Sequence, residues 1–481
     1  MILPTFRSGL YWIVWILEAI IFAYFACYFL FNVVLIFLSA LYCRKYKKET
    51  LSHPIDFDAL ERLKNLVPPV TLVVPAFNEE RVIVPSVRSL LAMSYKRLEV
   101  VVVNDGSKDG TLDELIRSFS LRKSEVRPSG TLPTKPIRGF YLSRVEPRVV
   151  VVDKENGGKA DAMNAGINFS QSPYFMGMDG DTLFEPDALT DALRVMLADP
   201  ARVVAVGGVP RGINGAIIDA GRIRQPRLLL NFWVVIQVIE YLRSFLAGRT
   251  GWSRINGLLV VPGAFGFFQK AAAVAVGGFG TKTVTEDIEF ILKLHRYAQE
   301  KRLNWRILLA PDAVCWTDMP ASLKVLSGQR KRWHEGLWQV LSLHRSLLCN
   351  PRYGVIGLVA LPHLALFEAG GPFVELLGLI LFPVLYFMGW LNQTAFILYL
   401  AVAFFAGALF SLVAILIDQT YFPRYRFPRD AIVLLAFCLI ENFGYRQLYL
   451  VWRLLATWNF LFGEVVWRVS ARTGFATRAG R

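Results

Sequence analysis

Glu99–Thr111 reads EVVVVNDGSKDGT: a β-branched run short enough for one buried strand ends in an acidic, glycine-containing turn, and a helix-compatible stretch follows. The same grammar occurs upstream, where Val70–Val74 runs into PAFNEE at Pro75–Glu80. Downstream, Val149–Val152 predicts another strand, Lys159–Phe169 a helix, and Tyr174–Met178 a strand that stops at Asp179, Gly180 and Asp181. Strands alternating with helices predict βαβ units and an α/β domain. In open parallel sheets, ligands collect beyond the carboxyl ends of the strands, which is where each of these polar motifs falls. That repetition carries more weight than any single motif.

The chain around this domain is of another kind. Its 481 residues are 54% hydrophobic with a mean hydropathy of +0.40, yet the charges concentrate between about Tyr42 and Tyr353. Tyr11–Leu41 is almost wholly apolar, interrupted by Glu18 and Asn32, and exceeds the roughly 20 residues needed to cross hydrocarbon. The basic stretch YCRKYKK (Tyr42–Lys48) follows directly, which predicts a transmembrane helix with a cytoplasmic stop and places the middle region in the cytosol. Further apolar stretches run over about Val355–Met388, Thr394–Leu416 and Ala431–Phe462. Gly370, Gly371 and Pro372 are expected to divide the first into an interfacial and a crossing helix. Glu441, Asn442, Arg446 and Gln447 in the middle of the last predict a bent or returning segment followed by a basic cytoplasmic tail. The resulting division is 1–48, an N-terminal helix and its stop; 49–348, a cytosolic domain with interface helices near 228–247 and 323–348; and 349–481, a C-terminal membrane region.

A net charge of +15 raises the question of nucleic acid, but much of the excess flanks apolar segments or sits in 121–148, where it suits anionic lipid headgroups. No nucleic-acid partner is expected. Segment 121–148, basic and proline-containing, reads as a mobile surface insertion. Five scattered cysteines indicate neither a disulfide framework nor a zinc site.

Asp179 and Asp181, two apart at a strand end around Gly180, can reach a hard divalent ion carrying a diphosphate; an ordinary acidic turn is the plainer alternative. NGGKADAMNAGI (Asn156–Ile167) combines flexible glycines, a lysine and a helix start, suited to phosphate or simply to opening a surface helix. Leu228–Phe245 is too mixed for a span and reads as a helix lying on a membrane.

PAFNEE, VNDGSKDGT, NGGKADAMNAG, DGD, TED (Thr285–Asp287) and QRKRW (Gln329–Trp333) in this order resemble the family 2 glycosyltransferases of GT-A fold, specifically the processive membrane synthases, over roughly Pro69–Leu348. The context TVTEDIEFILKLHR and LAPDAVCWTDMPASLKVLSGQRKRWHEG is most similar to the bacterial poly-N-acetylglucosamine synthase branch, with hyaluronan, chitin-type and cellulose synthases as relatives. The resemblance implies a GT-A domain with a mixed, mostly parallel sheet, inserted between transmembrane helices and carrying amphipathic interface helices. It implies an inverting polymerase that adds a UDP-sugar, foremost UDP-GlcNAc, to a growing polysaccharide and secretes it through the cell membrane, with lipids and an accessory membrane subunit as further partners.

By the same resemblance Pro75, Ala76, Asn78, Glu79 and Asp105 bind the nucleotide, Asp105 on the uracil or ribose side. Lys159, Asp179 and Arg332 lie on the donor, and Asp181 with Asp179 on Mg2+ or Mn2+. Asp287 matches the family's general base, while Glu286, Gln329 and Trp333 serve the acceptor. Arginine suits phosphate, glutamine both donates and accepts, and tryptophan offers an apolar face to a sugar ring. Helix capping by Thr285–Asp287 and a headgroup-level QRKRW helix are the alternatives that involve no chemistry. A glycolipid-forming, non-processive transferase and a sugar transporter or binding partner are the rival functions. A cellulose-type gating loop and cyclic-dinucleotide domain have no counterpart here.

Overall fold

The computed structural model describes residues 3–52, 66–125, 130–219, 222–390 and 393–463, together with 56, 59 and 62. Its centre is a ten-stranded sheet in the order β3-β4-β5-β2-β1-β6-β11-β8-β12-β7. The strands are β1 (Val70–Ala76), β2 (Leu98–Asp105), β3 (Leu121–Lys123), β4 (Ile137–Ser143), β5 (Val149–Lys154), β6 (Tyr174–Gly177), β7 (Leu183–Phe184), β8 (Val203–Gly212), β11 (Gly266–Gln269) and β12 (Arg306–Thr317), with β9 (Ile217–Asp219) and β10 (Arg222–Gln225) paired apart. β5, β2, β1 and β6 are parallel neighbours, so their carboxyl ends share one edge. β11 runs antiparallel to both β6 and β8.

The four parallel strands are those expected from their β-branched runs. Val70, Leu72–Val74, Val100–Val103 and Val149–Val152 are buried, as strands covered on both faces require. The helix Lys159–Phe169 follows the expected bounds and packs on β1 and β2. Its close seat depends on Gly166, where a Cβ would lie 2.2 Å from Val73 Cγ1.

Segment 121–148 differs from its expectation. Within it β4 pairs antiparallel with β5 and β3 antiparallel with β4, and Phe140 is buried against the ring of Phe169. The edge of the sheet is β3, LRK, with two exposed basic residues, and β4 lies inside it, which the basic composition of the segment concealed.

Among the described residues two helices are long and apolar enough to cross a membrane, Trp12–Thr50 and Ile356–Phe387. The second runs on through Gly370: mixed π and α turns over 356–369 lead into Gly371–Phe387, so the expected division into two helices is not found. A proline at the first turn of a helix costs no hydrogen bond, which is why Pro372 marks a change of winding here. Pro428–Ile440 and Tyr445–Phe462 meet at 63°, the bent segment predicted from its polar middle. The apolar stretch 394–416 lies in the helix Gln393–Tyr421.

Phe232–Ser244, whose apolar character suggested a membrane surface, has Val234–Ile239 buried in protein, between the sheet and the helix Gln393–Tyr421. Ion pairs fasten the two parts: Arg211 to Asp418, both buried, at 2.5 Å, and the partly exposed pairs Arg243 to Glu441 at 2.5 Å and Arg424 to Glu185 at 2.7 Å. Tyr42 Oη donates to the Leu309 carbonyl at 2.6 Å from the N-terminal helix.

Gly166→Ala is expected to force the Lys159 helix off β1 and cost about 1–3 kcal/mol, read as a lowered melting temperature. Unchanged thermal stability would mean that this helix is not held as closely as described.

Candidate active site

The shared strand edge opens into a cavity of about 2760 Å³ lined by Pro75, Ala76, Asn78, Glu79, Asp105, Lys159, Asp179, Asp181, Glu286, Asp287, Gln329, Arg332 and Trp333. The fold thus brings every sequence-predicted site residue to one space.

PAFNEE and NDGSKDGT are laced together by their backbones. Asn78 N–H donates to Ser107 Oγ at 3.0 Å, Lys108 N–H donates to Asn78 Oδ1 at 2.8 Å, and Glu79 N–H donates to Thr111 Oγ1 at 2.8 Å. Asn78 holds φ at 55°, a left-handed conformation that asparagine tolerates better than most residues. Gly180 makes room for Glu79, whose Oε2 would lie 2.0 Å from a Cβ there.

Asp105 lies at the mouth of β2 with its carboxylate turned to protein. It accepts from Gly157 N–H at 3.0 Å, from Gly158 N–H at 2.8 Å and from Lys154 Nζ at 2.6 Å. Lys154, fully buried, also meets Asp161 at 2.5 Å. Asp105 therefore shapes the glycine loop before Lys159. Lys154 was missed in the sequence, although it ends β5 at the same edge as the other motifs.

Lys159 Nζ lies 2.7 Å from Asp179 Oδ1 and 3.1 Å from Glu286 Oε1. Burial disfavours its charge, but the two carboxylates outweigh burial and hold the ammonium above its ordinary range. Gly263, in the loop before β11, admits the approach: a Cβ there would sit 2.9 Å from Lys159 Nζ and 3.6 Å from Asp287 Oδ2. Asp287 Oδ1 accepts from Ile288 N–H at 2.9 Å. Burial, and next the charge of Glu286, push its carboxyl up to about 6, against the pull of Lys159 and Arg249. A carboxylate so poised can remove a proton near neutral pH.

Asp179 and Asp181 line the cavity with carboxylates of the hard oxygen type that could hold a divalent ion, and among the described residues no group of three or more His, Cys, Asp or Glu forms a closed metal cage. Two carboxylates without a cage fit Mg2+ or Mn2+ that shares its remaining positions with a diphosphate and water.

The QRKRW motif sits on the helix Leu323–Leu343, packed along Tyr445–Phe462. Arg330, buried, pairs with Glu240 at 2.5 Å, and Tyr445 Oη donates to the same carboxylate at 3.0 Å. The Arg330 guanidinium lies 4.5 Å from the centre of the Trp333 ring, which holds the indole in place from one side. Trp338 Nε1 donates to Thr457 Oγ1 at 3.0 Å, and Asn459 Nδ2 to Glu335 Oε1 at 3.0 Å. Sequence reasoning missed Glu240 and Tyr445, whose role depends on a partner remote in the chain.

Residues 71–127 match the family Glycosyl transferase family 2, and residues 174–412 match Glycosyl transferase family group 2. The chain is 30% identical over 273 residues to the poly-beta-1,6-N-acetyl-D-glucosamine synthase of Staphylococcus aureus, covering 56% of this chain and 55% of the relative. It is 28% identical over 272 residues to the synthase of the same name from Staphylococcus epidermidis. The chain spans about half the length of these curated relatives. In fold it is similar to a mannosyltransferase of Pyrobaculum calidifontis in complex with GDP-Man and Mn2+, with a TM-score of 0.52 at 19% identity, covering 93% of this chain and 99% of the other. Matched over 71–127 and 174–412, with a mixed sheet of GT-A type and a carboxylate-lined cleft at its strand ends, the chain carries glycosyltransferase family 2 domains.

Proposed function

We propose that this glycosyltransferase is an inverting, processive synthase that polymerises a UDP-activated hexose, foremost UDP-GlcNAc, into a β-linked polysaccharide and passes it across the membrane. The observation that carries this reading is continuity. The cavity that holds Asp179, Lys159 and Asp287 also reaches Glu375, Asn442 and Arg446 among the apolar helices. A hydrophilic chain cannot cross hydrocarbon unaided, and a polar cavity beginning at the site of bond formation would admit it as it grows. The names of the staphylococcal relatives supply the sugar.

In the reaction, Asp287 takes the proton from an acceptor hydroxyl while that oxygen attacks the anomeric carbon opposite the diphosphate. The new C–O bond forms as the bond to phosphate breaks, so an α-linked donor gives a β-linkage. A divalent cation held by Asp179 and Asp181 with the diphosphate would neutralise charge on the leaving group. Lys159 and Arg332 add fixed positive charge on the donor side, and Pro75, Ala76, Asn78 and Glu79 receive the nucleotide. Glu286 orients Lys159 on the acceptor side, while Gln329 and Trp333 hold the terminal sugar. The catalytic domain faces the cytosol, where nucleotide sugars are made, and lipids surround the apolar helices.

Protein reconstituted in lipid and supplied with UDP-GlcNAc and Mg2+ or Mn2+ should release UDP and form a product of high mass. A product that stops at one sugar on lipid would replace this reading with glycolipid synthesis. Asp287→Asn should lower UDP release by about a hundredfold to ten-thousandfold with donor binding retained. Because the ionised base is the active form, kcat/KM of the parent protein should fall about tenfold per pH unit below roughly pH 6. An acid limb absent down to pH 4.5 would remove Asp287 from that role. Asp105→Asn sets an amide N–H against a glycine N–H and costs about 1–3 kcal/mol. The expected result is a lower melting temperature and a higher KM for the donor, and an unchanged KM would show that the glycine loop does not depend on Asp105.

A further inference from the structure

Between Phe232–Ser244 and the short helix Thr250–Arg254, the chain makes a π-helical turn over Phe245–Arg249. π-turns carry an extra residue and recur at functional sites because they turn a side chain away from the regular helical face. Here the last residue of the turn is Arg249, which lines the same cavity as Asp287 and Trp333.

Two other arginines of the cavity are matched by carboxylates. Arg243, on the same helical run, is bound to Glu441 and to Ser411. Arg330 is bound to Glu240. Among the described residues the guanidinium of Arg249 has neither hydrogen bond nor ion pair; it stacks 3.8 Å from the centre of the Phe245 ring. Burial pushes it down to about 10, and the charge that offsets this most is that of Asp287. The groups facing Asp287 are Glu286 on its own helix, Lys159 from the strand-end loop and Arg249 from the π-turn. Lys159 is already shared between Asp179 and Glu286. Arg249 therefore holds unspent donors in a desolvated place, next to the carboxylate that must stay ionised.

We infer that Arg249 is an acceptor-side positioning residue: its guanidinium hydrogen-bonds oxygen atoms of the acceptor's terminal sugar, fixing the attacking hydroxyl toward the base. The Phe245 ring holds the fork from one face and leaves its five N–H groups for the ligand. This inference rests on Asp287 being the base.

The test compares Arg249→Met and Arg249→Lys with the parent protein in lipid, using UDP-GlcNAc as donor and a GlcNAc tetrasaccharide as added acceptor, with Asp287→Asn as control. Removing the positive charge raises the carboxyl of Asp287, so the acid limb of kcat/KM in Arg249→Met should move to higher pH by roughly one unit. Its KM for the tetrasaccharide should rise about tenfold with the KM for UDP-GlcNAc unchanged. Arg249→Lys should restore the limb, since charge is kept, and leave the acceptor KM raised, since the fork is lost. A limb and an acceptor KM that both stay put in Arg249→Met, with Asp287→Asn inactive, would overturn the role of Arg249 alone. Full turnover by Asp287→Asn would overturn the base assignment, and this inference with it.

Discussion

The ammonium of Lys159 is the point on which the two halves of the site depend. It reaches Asp179 at the end of β6 and Glu286 at the start of the helix Glu286–Glu300, two elements more than one hundred residues apart in the chain. Without that cation, carboxylates from three strands and one helix would crowd a partly dry cleft, and their repulsion would favour protonation or opening. With it, a donor-side acid and an acceptor-side acid share one charge, and Asp287 stands just beyond. Glycine at 263 is part of the same constraint, because any side chain there would occupy the space in which lysine and base converge.

The lysine is itself placed by a second buried set. Asp105 grips the backbone of Gly157 and Gly158, and Lys154 ties Asp105 to Asp161 on the helix that begins with Lys159. Buried charges of this kind gain little net stability, but removing one partner strands the others. Their value lies in fixing where the glycine loop runs, which decides where Lys159 starts. A residue expected to touch nucleotide thus has a positioning role toward protein as well.

How much of this was legible follows from distance along the chain. β1, β2, β5, β6 and the helix Lys159–Phe169 announce themselves locally, because valine-rich runs stop at Asn, Asp and Gly where a buried strand must turn. The acidic and aromatic site residues were legible through the order of their motifs. β3 and β4 were not, since the edge strand β3 carries the arginine and lysine that otherwise signal a loop and the residues between the two strands are basic and rich in proline. Nor were the π-turn at Phe245–Arg249 or the Arg330–Glu240–Tyr445 set, because nothing near each residue states which remote partner will face it. Gly370–Pro372 misled for a related reason: whether such a sequence breaks a helix or merely rewinds it depends on neighbours such as Arg453, which donates to the Glu368 carbonyl.

Charge balance along the cavity bears on the kind of polymer it suits. Its membrane-side walls carry Glu368, Glu375 and Glu441 against Arg243, Arg446 and Arg453. Arg243 is matched to Glu441 at 2.5 Å, while Arg446 and Arg453 lie 4.0 and 3.9 Å from Glu375. A passage for a polyanion would gain from an excess of fixed positive charge, as electrostatic focusing in any lined cleft requires. Walls neutralised in pairs offer hydrogen bonds without a strong net field, and a neutral amino-sugar chain exchanges water for such partners at little electrostatic cost. On this stretch of the wall three carboxylates face three guanidinium groups, so a neutral polymer of the kind proposed above would meet little net field there.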